Sequence, residues 1–120
     1  MRRVSLIWLV VAVLGACGNP VAKFNETKER AYMSVMRTDL AALADSLGAY
    51  HAKHGRYVAG TATNAEGRVT SSFPADFKFA PTFNVTITVD TSAGSWTATA
   101  THAITPKTCA ISPGSQPACR

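Results

Sequence analysis

Apolar side chains recur at steps of three and four residues in the first half of the chain. The recurring positions are Met33, Met36, Leu40, Leu43, Leu47 and Tyr50. Because an α-helix repeats every 3.6 residues, this spacing places them on one face. Gly55 follows, and glycine is favoured in the left-handed position just past a helix C-terminus. The pattern predicts one amphipathic helix over about residues 25–54, with Asn25 or Thr27 as its N-cap.

Two features of this helix bear on what it packs against. Gly48 lies in its interior, where glycine costs about 1 kcal/mol relative to alanine, so close packing is expected at that point. The apolar stripe itself suits either a hydrophobic core or a coiled-coil seam. Core packing is the prediction, because the strands that follow need an element to pack against.

The hydrophobic period changes to two in the second half. Apolar residues alternate with polar ones at Phe83, Val85, Ile87 and Val89, and again at Trp96, Ala98 and Ala100. This alternation predicts two half-buried strands joined by a turn at residues 90–95. Residues 108–111 can supply a third strand, whereas residues 58–72 are expected to form a loop with at most one short strand. The predicted fold class is α+β, a long N-terminal helix packed on a small antiparallel sheet over about residues 83–112.

Residues 1–17 have the three parts of an export signal. Arg2 and Arg3 precede an apolar run over residues 4–14, and small residues then lead to Cys17. Eleven helical residues span about 16 Å, roughly half of a hydrocarbon core. The segment is therefore interpreted as a cleaved signal and not as a transmembrane helix.

The tetrapeptide Leu14-Gly15-Ala16-Cys17 resembles the lipobox of bacterial lipoprotein signal peptides. The resemblance implies a diacylglyceryl group on the Cys17 thiol and cleavage between Ala16 and Cys17. Residues 1–16 would then be the signal peptide, and residues 17–22 the lipidated N-terminus and tether. Several acyl chains give stable anchoring to a membrane. Gly18 after the cysteine implies the outer membrane of a bacterial envelope in preference to the inner membrane. The alternative is an ordinary secretory signal with an incidental cysteine.

The other two cysteines, Cys109 and Cys119, are expected to pair. If Cys17 is acylated, the remaining thiols form an even number, and envelope compartments are oxidising. A disulfide here closes a C-terminal loop that contains Pro113 and Pro117. On the chain-entropy model the disulfide raises the free energy of unfolding by about 2.5 kcal/mol. Two reduced cysteines or a metal pair are the alternatives, and a metal pair lacks companion ligands.

Composition bounds the possible partners. Hydrophobic residues make up 47% of the chain, which permits a packed core. Without Arg2 and Arg3, ten basic side chains face seven acidic ones, a net charge of +3 that is spread along the chain. Because nucleic-acid binding calls for a basic stripe, no nucleic-acid partner is expected.

Four residues are candidates for catalysis or metal binding: His51, His54, His102 and Asp76. Histidines three apart on a helix can hold a metal on one face. The sequence contains no nucleophile elbow, HExxH motif, glycine-rich phosphate loop or close pair of carboxylates. It therefore predicts no catalytic, cofactor or metal residue and no small-molecule substrate. An envelope enzyme that uses these four residues is kept as a separate hypothesis.

Two regions of the chain resemble type IV pilins and type II secretion pseudopilins. The first contains Lys23-Phe24, Thr27-Lys28-Glu29-Arg30-Ala31-Tyr32, Met36-Arg37-Thr38-Asp39-Leu40, Leu43-Ala44, Ala49-Tyr50 and Gly55-Arg56-Tyr57. The second contains Gly94-Ser95-Trp96-Thr97-Ala98-Thr99-Ala100-Thr101-His102 and Lys107-Thr108-Cys109-Ala110-Ile111. The resemblance covers about residues 20–112. It implies a pilin-like domain over residues 23–120.

The N-terminus departs from the pilin pattern. Pilins have a Gly-Phe cleavage site, a glutamate near the mature N-terminus and about twenty apolar residues, whereas no acidic residue here precedes Glu26. The combined expectation is a non-enzymatic, lipid-anchored pilin-like protein. It would be an interaction or accessory component of a type IV pilus or type II secretion system, with pilin or pseudopilin subunits as partners. The alternative is a genuine filament subunit held in the membrane by its N-terminal helix. A mis-assigned start codon would favour that alternative, but Arg2 and Arg3 would then lie inside the span.

Overall fold

The computed structural model describes residues 20–120, with side chains from Asn25 onward. The elements in chain order are α1 (Pro20–His54), β1 (Gly60–Ala65), β2 (Arg68–Ser71), β3 (Val85–Ser92), β4 (Ser95–His102), β5 (Thr108–Ile111) and β6 (Ala118–Cys119). The chain divides after Arg30 into two compact units, and the second, Ala31–Arg120, contains the hydrophobic core. The predicted α+β class, one long helix packed on an antiparallel sheet, is confirmed.

Helix α1 ends where the sequence predicts and begins earlier. It runs from Pro20, so Asn25 and Thr27 lie inside the helix and neither is the N-cap. A proline fits the first turn because the N–H groups there have no partner within the helix. At the other end, Gly55 has φ of 73° and its N–H donates to the carbonyl of His51 at 2.7 Å. This is the glycine C-terminal position that the sequence predicts.

The apolar stripe of α1 is the centre of the core. Met36, Leu40, Leu43 and Leu47 have no solvent exposure, and Tyr50 is buried as well. They pack with the inward residues of the sheet, among them Val85, Ile87, Val89, Ala98 and Ala100. Fully burying one such aliphatic side chain is worth about 1.5–3 kcal/mol. The core interpretation of the stripe is therefore confirmed.

Six antiparallel strands form one sheet in the order β2-β1-β3-β4-β5-β6. The predicted hairpin is its centre, with eight paired positions between Val85↔His102 and Ser92↔Ser95. Its turn is tighter than expected, because Ala93 and Gly94 alone connect the strands, with φ of 51° and 75°. Two consecutive residues of positive φ form a type I′ turn, which matches the twist of a hairpin.

The prediction of a loop over residues 58–72 is wrong. This segment forms a second hairpin, β1 and β2, and β1 pairs with β3 to extend the sheet. The inward side chains of β1 are Ala62 and Asn64, too small or too polar to show as an apolar alternation. Glu66 and Gly67, with φ of 52° and 93°, make another two-residue turn.

Phe83 is not part of the core. Its side chain is 56% exposed, although the alternation with Val85 predicts a buried strand position. Asn84 has φ of 64°, which interrupts the extended backbone, and β3 begins only at Val85. The Phe83 ring lies against Gly67, where an added Cβ would approach the ring Cζ to 3.2 Å.

Gly48 also differs from the expectation. The close packing predicted there is wrong, because an added Cβ would meet no atom of the described residues within 4 Å. The residue lies on the exposed side of α1.

Candidate functional site

The predicted lipidation and cleavage site lies outside the described residues. Ala16, Cys17 and the signal peptide of residues 1–16 all precede Pro20, as does the first half of the tether predicted over residues 17–22, whereas residues 20–22 belong to α1. Acylation of Cys17 therefore stays a prediction. Among residues 20–120, no helix combines the length and the apolar character needed to cross a bilayer.

Cys109 and Cys119 form the predicted disulfide. They are directly paired in the β5–β6 register, Cys109 in the core and Cys119 half-buried. Both sulfur atoms lie 3.9 Å from the carbonyl oxygen of Met33 on α1. The bond therefore holds the C-terminal strand beside the helix. The residues between the strands are mostly exposed, and Ser112 and Ser115 hydrogen-bond to each other across the turn.

The three histidines lie in separate environments, each against a tyrosine ring. His51 stacks on Tyr57 with ring centroids 4.3 Å apart, and His102 stacks on Tyr32 at the same centroid distance. Tyr32 and His51 are nineteen residues apart on α1, which corresponds to about 28 Å. Residues 20–120 contain no group of three or more His, Cys, Asp or Glu side chains that could hold a metal.

Burial and a backbone contact favour the neutral form of His102. Burial lowers the pKa of its imidazole below the ordinary value of 6.5. The N–H of Ile104 donates to His102 Nδ1 at 3.1 Å, so in the neutral ring the proton is on Nε2.

His54 and Asp76 are the candidate catalytic residues that the structure brings together. His54 Nε2 lies 3.4 Å from Asp76 Oδ2, and the Tyr50 hydroxyl lies 3.4 and 3.5 Å from the two carboxylate oxygens. The Asp76 side chain is 54% exposed. Contacts of this kind between exposed groups contribute at most about 1 kcal/mol to the stability of the folded protein. The cluster fastens the segment after β2 to the last turns of α1, where Phe77 packs edge-on against Tyr50.

A buried carboxylate on α1 forms a second link to the same segment. Asp39 is 8% exposed, and both oxygens accept hydrogen bonds from Thr82. Sequence reasoning missed this contact. A signal was present, because Asp39 lies next to Leu40 and one helical turn after Met36, on the edge of the apolar stripe.

A cleft of about 310 Å³ opens where the chain leaves α1, and we name it the exit cavity. One wall is formed by the end of α1 and the residues after it, and the other by the β3–β4 turn. Its polar and aromatic lining consists of His51, Arg56, Tyr57, Thr91, Ser92 and Ser95. Sequence reasoning did not identify this cleft, because its two walls are separated by more than thirty residues.

The outward face of the sheet is rich in threonine. One row of paired positions crosses β1, β3, β4 and β5 at Thr63, Thr86, Thr101 and Thr108. The hydroxyl oxygens of Thr63 and Thr86 are 3.1 Å apart. On the two central strands, Asp90 is the one charged residue at an outward position. Hydroxyl and methyl groups, and few charges, therefore form this surface.

Comparison with known proteins gives no match. No protein-family model fits this chain, and no curated protein or solved structure is significantly similar to it.

Proposed function

We propose that this chain is a non-enzymatic, lipid-anchored pilin-like protein of the bacterial envelope. Its acylated Cys17 holds it on a membrane, with the outer membrane favoured by Gly18. Its folded domain serves as an interaction or accessory component of a type IV pilus or type II secretion system. Pilin or pseudopilin subunits are the proposed partners.

The observation that carries the proposal is the arrangement of α1 on the sheet. The stripe from Met36 to Leu47 is completely covered by an antiparallel sheet, and a disulfide closes the C-terminal segment. A long helix packed on an antiparallel sheet is the arrangement that the resemblance to pilins implies. The lipobox-like residues 14–17 supply the anchor, and they replace the long apolar segment through which pilins polymerise.

Two surfaces of the folded domain are proposed as contacts for the partner subunits. The outward sheet face has few charges at its centre, and depletion of charge is typical of the central part of protein interfaces. The disulfide loop, residues 110–118, is largely exposed while its two ends are fixed by the Cys109–Cys119 bond. A loop fixed in this way loses little conformational entropy on binding.

Metabolic labelling with a fatty-acid probe tests the anchor. Wild-type protein is expected to incorporate the probe and to sediment with membranes, and Cys17→Ser is expected to lose both properties. Cys119→Ser is the matched control, since it removes a cysteine without touching the lipobox and should keep the label. Membrane retention of an unlabelled Cys17→Ser protein would favour the alternative, a filament subunit held by its N-terminal helix.

A further inference from the structure

The exit cavity has a lining that is rich in hydrogen-bond donors. Arg56 contributes a guanidinium group with five N–H donors and no acceptor. His51 contributes an imidazole, and Ser92 and Ser95 contribute hydroxyl groups that rotate to suit a ligand. The apolar part of the wall includes the Tyr57 ring, which is stacked against His51. This composition suits a small anion better than an apolar ligand.

Within residues 20–120, no acidic side chain lines the cavity. Asp90 is the nearest carboxylate along β3, next to Thr91, which does line the cavity. By strand alternation Asp90 shares the outward face of the sheet with Ser92, but Asp90 does not line the cavity. On the helix side, Asp76 is in contact with His54 and Tyr50. No carboxylate of residues 20–120 therefore forms part of either wall.

The β3–β4 turn adds backbone donors. In a two-residue type I′ turn, the N–H groups of the central residues point away from the hairpin ladder. Here these residues are Ala93 and Gly94, and both line the cavity. Ala93 has φ of 51°, a conformation that costs a non-glycine residue about 1–2 kcal/mol.

One feature of α1 opposes anion binding. The C-terminus of a helix has a partial negative charge, and the cavity lies beside it. That charge is about half of an elementary charge and acts only within the last turn. The N–H of Gly55 already satisfies the carbonyl of His51. Arg56 has a full positive charge and forms the stronger, charge-assisted type of hydrogen bond. The net preference of the cavity is therefore for an anion.

We propose that the exit cavity binds a phosphate group. A phosphate presents several oxygens in different directions, so it can accept hydrogen bonds from both walls at once. Arg56 and His51 contact it from the helix side, and the amides of the β3–β4 turn with Ser92 and Ser95 contact it from the hairpin side. Free phosphate compounds and phospholipid headgroups share this chemistry. This site does not depend on lipidation of Cys17 or on a pilus partner.

Titration of the isotope-labelled full chain in a neutral detergent tests the site. Sodium phosphate is added at constant ionic strength, and the backbone amide resonances are followed by NMR. We expect saturable shifts at Tyr57 and at residues 93–95. Arg56→Gln should weaken the apparent affinity about tenfold or more, because it removes a charge-assisted hydrogen bond.

Lys53→Gln is the matched control. It removes the same charge from an exposed position three residues away, and Lys53 does not line the cavity. Its affinity for phosphate should stay within about twofold of wild type, because screened surface charges act weakly. Equal losses in Arg56→Gln and Lys53→Gln, or shifts that do not saturate, would overturn the proposal. Matched thermal unfolding curves for the two variants exclude a folding defect.

A vesicle experiment separates the two sources of phosphate. The Cys17→Ser chain keeps its N-terminal apolar segment, so it is compared with its own Arg56→Gln variant on phosphatidylcholine vesicles with and without phosphatidylglycerol. Binding to the anionic vesicles that Arg56→Gln abolishes supports a headgroup ligand. Binding of soluble phosphate alone supports a free phosphate ligand. If Arg56→Gln changes neither the binding of soluble phosphate nor the binding to anionic vesicles, the proposed site is overturned.

Discussion

Asp39 on α1 accepts two hydrogen bonds from Thr82, one from the backbone N–H and one from the side-chain hydroxyl, each 2.8 Å long. The contact joins the helix to the segment that leads into β3. Asp39 is 8% exposed and Thr82 is exposed, so the substitution removes two hydrogen bonds to a charged, buried acceptor. We therefore expect Asp39→Ala to lower the free energy of unfolding by about 1.5–3 kcal/mol.

Urea unfolding followed by circular dichroism measures this loss. Asp45→Ala removes the same side chain from an exposed position of α1 and should change stability by less than about 0.5 kcal/mol. Equal effects of the two substitutions would show that the Asp39–Thr82 contact contributes nothing.

Replacing glycine by alanine should have opposite effects on stability at Gly48 and at Gly55. Gly48→Ala should stabilise the protein by about 0.5–1 kcal/mol, because the site is helical and an added Cβ meets no atom of residues 20–120 within 4 Å. Gly55→Ala should destabilise it by about 1–2 kcal/mol, since φ there is 73°. Thermal unfolding should show a rise of a few degrees for the first variant and a fall for the second. Two shifts of the same sign would contradict the helix end at His54.

Two phenylalanines provide a test of the core. Phe77 is 6% exposed and Phe83 is 56% exposed, although both lie in the segment between β2 and β3. Phe77→Ala should cost about 3–5 kcal/mol in unfolding free energy. Phe83→Ala should cost less than about 1 kcal/mol, because most of the ring is already in water. Chemical denaturation of both variants gives the comparison, and a larger loss for Phe83→Ala would contradict the start of β3 at Val85.

His102 makes stability depend on pH. Burial lowers its pKa below 6.5, so the unfolded chain binds a proton at a higher pH than the folded chain does. Its contribution to stability is complete above about pH 6.5 and is lost as the pH falls from there towards the folded-state pKa. Unfolding free energies between pH 7.5 and pH 5 should therefore fall more steeply for wild type than for His102→Gln. Parallel pH profiles would rule out this role of His102.

The sequence was sufficient to predict the elements with strong periodicity. The stripe from Met36 to Tyr50 and the alternation from Val85 to Ala100 predict the helix, the central hairpin and the face through which they pack. The helix stripe and the β3 alternation consist of bulky apolar residues at regular spacing, and in β4 Trp96 begins an alternation that Ala98 and Ala100 continue. The end of the helix at His54 was predictable because a glycine follows it.

The remaining parts of the fold lack such a pattern. The β1–β2 hairpin buries Ala62 and Asn64 in place of large apolar side chains, so its alternation is almost invisible. The positive φ of Asn84 removes Phe83 from its strand, and single residues of this kind are poorly predicted by periodicity. The exit cavity and the Asp39–Thr82 contact join residues that are distant in sequence. Only the packing of α1 on the sheet brings them together.

Intact mass spectrometry of the protein purified from membranes is the most direct test of the proposed anchor. The account predicts a chain that begins at Cys17, with a diacylglyceryl group on its thiol, an acyl group on its amino nitrogen and the Cys109–Cys119 disulfide intact. A chain that retains residues 1–16 with an unmodified Cys17 would contradict it. That result would instead favour a subunit held in the membrane by its N-terminal apolar segment.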